Sequence, residues 1–113
     1  MPTNPVYQRD AASVEADGER SLYAAVDRAN IATSLRYARE RLSFLSAELE
    51  HAQRELRGSM HAAVASAHRG LAFAHRERAE LLGDVVSYLR LRLDDSAKLV
   101  ARLERLAAER GAL

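Results

Sequence analysis

Cysteine is absent from this chain, which excludes disulfides and thiolate metal sites. Tryptophan is absent too, and 113 residues hold only two prolines and five glycines, so helix breakers are few. No stretch approaches the roughly 20 apolar residues of a membrane helix. The N-terminus lacks the charged start and apolar run of a secretory signal peptide. The expected compartment is therefore the cytoplasm, with no membrane partner. Neither sign of charge prevails: 17 Lys and Arg stand against 16 Asp and Glu, for a formal net charge of +1. The two signs interleave, unlike the basic footprint of a dedicated nucleic-acid binder. Only Lys98 among the basic residues is a lysine, a bias that fits a GC-rich genome, as in bacteria, better than a chemical need. There is no P-loop, no Gly-x-Gly-x-x-Gly and no serine in a glycine-rich elbow. These absences argue against an enzyme and give no reason to expect a cofactor.

What is present is a seam. Leu35, Ala38, Leu42, Leu45, Leu49, Ala52 and Leu56 follow one another at alternating gaps of three and four, with Ile31 just upstream. That is the a/d repeat of a helix that buries one narrow stripe against a partner helix. The 48% apolar and 29% charged composition, rich in alanine, suits such a helix. Residues 1–18, with Pro2, Pro5 and Gly18, read as a flexible tail. Asn4-Pro5-Val6-Tyr7 within it matches a turn-forming pattern that some adaptor domains read, but four residues support a plain turn better. A short helix over 11–16 is compatible with the tail.

The spacing predicts a long helix over about 19–57, started near Asp17–Ser21. Gly58 is the expected turn, with Ser59 capping a second helix over about 59–110. The expected fold is all-α, an antiparallel helical hairpin forming one domain over 19–113. Gly83 either breaks the second helix, giving three helices, or is carried within it at a cost of about 1 kcal/mol.

Two apolar features remain unpartnered in that hairpin. Leu22, Val26, Tyr37 and Phe44 form a second face on the first helix, continued by Ala29, Thr33 and Ala47. With a turn at Gly58 the second helix overhangs the first, leaving Leu89, Leu93, Val100 and Leu103 uncovered. Both features favour a homodimer packed as a four-helix bundle. The expected role is a non-enzymatic interaction module that self-associates and docks on a protein partner.

Three other readings have specific residues behind them. His61, His68 and His75 fall seven apart, too far along one helix to share an ion. A turn at Gly58 would set Glu48 opposite His68 and Glu55 opposite His61, giving pH-sensitive pairs. The plainer reading has these imidazoles covering small alanines. Glu48 and His51 hold the Glu-x-x-His spacing of di-iron bundles, so a metal site with His68 is a further candidate. Arg90, Arg92, Lys98, Arg102, Arg105 and Arg110 could form a phosphate- or nucleotide-binding stripe, although Asp94, Asp95, Glu104 and Glu109 interleave with them.

In length and hairpin layout the chain also resembles the WXG family of type VII secretion substrates. Leu56-Arg57-Gly58 keeps the glycine of that family's Trp-x-Gly turn. Tyr23-Ala24-Ala25-Val26-Asp27 has the spacing of its Tyr-x-x-x-acid export signal, though before the first turn rather than after the second helix. The resemblance implies a small hairpin exported without a signal peptide.

Overall fold

A computed structural model describes residues 5–112, with side-chain placement from residue 18 onward except at residue 19. The Asn4-Pro5-Val6-Tyr7 pattern thus lies outside the described side chains. Two helices account for the fold: α1, Pro5–Ala65, and α2, Arg69–Glu109. They pack on each other, with no strand among the described residues. The fold is all-α, as expected, but the reversal is at Ser66–His68 rather than at Gly58. Helical backbone also extends upstream of the expected start near Asp17–Ser21.

The physical reason for the displaced turn lies in the seam. Its alternation of three and four continues past Gly58 through buried Ser59 and half-buried Ala63 and Ser66. Gly58 lies off that row and is exposed, so the helix carries it at the modest cost of a glycine. Gly83 is likewise carried inside α2, which is continuous over 41 residues.

The true turn uses hydrogen bonds in place of glycine. The Ser66 amide closes α1 on the Ala62 carbonyl at 3.0 Å. The Ser66 hydroxyl then donates to the His68 carbonyl at 3.3 Å. His68 is the N-cap of α2. Its carbonyl accepts the first helical bond, from the Ala72 amide at 2.9 Å. Its Nδ1 accepts the Leu71 amide at 3.3 Å, which satisfies one of the orphan donors of the first turn. At the other end, Gly111 takes φ +67°. The Ala112 amide reaches back to the Ala107 carbonyl at 2.7 Å and the Gly111 amide to the Ala108 carbonyl at 3.4 Å. These two bonds around a left-handed glycine are a Schellman cap.

The chain divides into two compact units. One, Arg36–Arg102, contains the turn. Its α1 seam runs Ala38, Leu42, Leu45, Leu49, Ala52, Leu56, Ser59 and Ala63, all buried or half-buried. Its α2 seam has the same alternation: Ala72, His75, Ala79, Leu82, Val86, Leu89, Leu93, Ser96 and Val100. Two helices meeting through a/d rows form a two-stranded antiparallel coiled coil. Such a core is one layer deep, and no large side chain in it is fully enclosed. Removing Leu45, only 7% exposed, would still cost a few kcal/mol, within the ~2–5 kcal/mol range for buried leucines.

The other unit, Met1–Leu35 with Leu103–Leu113, buries Ile31, Leu35 and Ala107. An ion pair from Arg110 Nη1 to Asp27 Oδ2 joins its two helical segments.

The overhang expected on α2 is not present. Val100 is buried, and Leu89, Leu93 and Leu103 are half-buried. Moving the turn from Gly58 to Ser66–His68 lengthens α1 and shifts the pairing, so Leu89, Leu93 and Val100 enter the seam of the Arg36–Arg102 unit.

Candidate functional site

The a/d rows fix what lies beside them. Writing each helix as a heptad, the g and c positions fall on one side of the seam and the e and b positions on the other. In an antiparallel pair the g positions of both helices share a side, and the contacts agree. Glu55 Oε2, at g of α1, accepts from Arg78 Nη2, at g of α2, at 2.6 Å. Arg41 shares a shallow hollow with Arg92, Asp95 and Leu99 on that side. On the opposite side Gln53 and Arg57 share a hollow with Gly83, Ser87 and Arg90.

The two sides of the Arg36–Arg102 unit differ in chemistry. The e/b side carries Arg36, Arg39, Ser43, Ser46, Glu50, Gln53, Arg57, Arg76, Glu80, Ser87, Arg90 and Asp94, and is apolar only towards the turn, at Met60, Val64 and Phe73. The g/c side carries Arg41, Glu48, His51, Glu55, Arg78, Arg92 and Asp95, and among them runs an apolar stripe on α2: Leu71, Leu81, Val85, Tyr88 and Leu99 are all exposed, Leu81 at 68% and Tyr88 at 60%. Tyr37 and Phe44 extend it onto α1, at 61% and 63%. Arg36 lies over the Tyr37 ring at 5.5 Å, a cation–π contact. Monomeric proteins rarely leave so much clustered apolar area in water.

Of the expected interface residues, Tyr37 and Phe44 lie on this surface. Leu22 and Val26 are exposed too, in the other unit. Leu89, Leu93 and Val100 belong to the seam of the Arg36–Arg102 unit, and Leu103 is half-buried in the other unit. The residues that sequence reading missed are Leu71, Leu81, Val85, Tyr88 and Leu99. Leu81 and Val85 stand next to Leu82 and Val86, so in the sequence their row and the seam merge. Their signal was a second three-and-four row, offset by one residue from the seam.

The histidines take separate places. His61 is exposed on α1, His68 caps α2, and His75 is half-buried in the α2 seam. Glu55 faces Arg78 rather than His61, and its other oxygen is 3.3 Å from His51 Nε2, one turn back. Glu48 is exposed on α1, and His68 lies in the turn, so the expected Glu48–His68 pairing goes with the expected turn. Arg78, by hydrogen bond and by charge, holds the Glu55 carboxyl below its ordinary value, with a smaller contribution from His51.

Glu48, His51 and His68 are not brought together. Among the described residues no group of three His, Asp or Glu side chains could hold a metal ion. The basic residues of α2 do not share one face: Arg92 lies on the g side, Arg90 on the e side, Lys98 pairs with Asp94 at 3.0 Å and Arg110 pairs with Asp27. Gly58, the one turn residue behind the WXG resemblance, is inside a helix. Among the described residues no helix is long and apolar enough to cross a membrane. The chain matches no family model, no curated protein and no solved structure.

Proposed function

We propose that this chain is a non-enzymatic assembly module, a coiled-coil hairpin that self-associates and in that form docks on a protein partner. One observation carries the reading. The hairpin has completed its own seam, and an apolar side still faces water, through Leu71, Leu81, Val85, Tyr88, Leu99, Tyr37 and Phe44. Exposed apolar area of this kind is the mark of an interaction surface. Its polar opposite side provides the solvated exterior that an assembled form needs.

Sedimentation velocity over a concentration series tests the proposal. A mass of twice 12.5 kDa or more is expected at micromolar concentrations. A monomer that persists into the millimolar range would overturn it.

A further inference from the structure

We infer that the occupant of the g/c side is a second copy of this chain, with α2 packed antiparallel on its own counterpart about a two-fold axis at Val85. This rests on the self-association proposed above and assigns its face and register.

The first support is periodicity. Leu71, Ala74, Leu81, Val85, Tyr88 and Leu99 each lie one residue before a position of the α2 a/d row, so they form an exposed stripe beside it, interrupted by Arg78, Arg92 and Asp95. The a/d row of α2 already faces α1. The stripe is therefore left uncovered by the hairpin.

The second support is self-complementarity, which a two-fold interface requires. The row reads nearly alike in both directions from Val85. Leu71 and Leu99 lie fourteen residues to either side; Arg78 and Arg92, seven to either side, meet as like charges, Arg92 lying beside Asp95 in the shallow hollow. Leu81 precedes Val85 by four and Tyr88 follows it by three. A two-fold axis at Val85 therefore sets Leu71 against Leu99 of the other copy, and Leu81 against Tyr88. Arg78 enters that contact already bound by Glu55, so its charge arrives neutralised.

The third support is area. The five exposed α2 side chains present on the order of 500 Å² per copy, and Tyr37 and Phe44 on the same side of α1 bring the surface towards the roughly 800 Å² that each partner contributes to a stable interface.

The lack of native cysteine makes the test clean. A residue on the two-fold axis faces itself, so Val85→Cys should oxidise to a covalent dimer. Ser87→Cys, on the polar side, should remain monomeric on a denaturing gel. Leu81→Glu and Tyr88→Glu alter side chains that the hairpin leaves in water, so helical circular dichroism should be unchanged. Each should weaken self-association by roughly thirty-fold, as for a central interface residue. Gln53→Glu should leave it intact. A dimer that tolerates both glutamates, or that cross-links through Ser87→Cys instead of Val85→Cys, overturns this assignment while self-association stands. Dissociation by the glutamates without a Val85→Cys cross-link overturns the antiparallel register. A wild-type chain that is monomeric throughout overturns both readings.

Discussion

His68 shows how much one side chain decides in this fold. It has no place among the usual N-cap residues, yet its Nδ1 and its carbonyl both take the amides that open α2. A Cβ at Gly70 would stand 3.0 Å from the imidazole Cε1, so a larger residue there would make the ring shift. His68→Ala should lower stability by about 1 kcal/mol, and His68→Asn, a good cap, should restore most of it. Urea unfolding followed by circular dichroism would read the difference. Glu55 acts at the same scale through charge. Its carboxyl is held below the ordinary value of 4.5 chiefly by Arg78. A depressed carboxylate contributes stability above its unfolded pKa and loses it as pH falls through the folded one. Wild type should therefore exceed Glu55→Gln at neutral pH by a small, salt-sensitive margin that shrinks as the pH falls below the ordinary carboxylate value. Urea midpoints at neutral and acidic pH would show it.

At the scale of the helices, two glycines separate the expected fold from the observed one. Gly58 and Gly83 sit inside helices with open space where a Cβ would go. Gly58→Ala should therefore stabilise, by up to about 1 kcal/mol. A turn at Gly58 in the left-handed region would give the opposite sign. Gly111→Ala should destabilise by about 1 kcal/mol, because its φ of +67° serves the Schellman cap. Thermal melts of the two variants should move in opposite directions. The seam from Leu35 to Leu56 was legible because leucine and alanine at a/d spacing have no competing reading. The turn was not, because seam positions beyond Leu56 are filled by Ser59 and Ala63, too small or polar to extend the pattern. Gly58 then offered a break that the backbone does not use. The real break lacks glycine and proline and relies on Ser66 and His68 side chains, a signal invisible to residue preference. The α2 outer row was hidden for another reason: Leu81 with Leu82, and Val85 with Val86, fuse two adjacent rows into one broad apolar band.

For the whole molecule, the governing balance is between one narrow internal seam and an outer apolar side of similar periodicity. A core one layer deep gives a small domain little margin. Burying the outer side in an assembly would then contribute directly to folding stability. The melting temperature should rise with protein concentration, by mass action on the assembled state. Leu81→Glu should displace that concentration dependence to roughly thirty-fold higher concentration while leaving the melt at the lowest concentration almost unchanged. Scanning calorimetry over a hundred-fold dilution range would measure both.

Ser96 holds a hydroxyl inside the α2 seam that meets no acceptor. A buried, unanswered dipole of this kind costs about 1–3 kcal/mol. It marks where the zipper of the hairpin should part first when water forces entry. Amide deuteration should accordingly run faster around Ser96 than around Leu45 or Val86, and Ser96→Ala should erase that contrast.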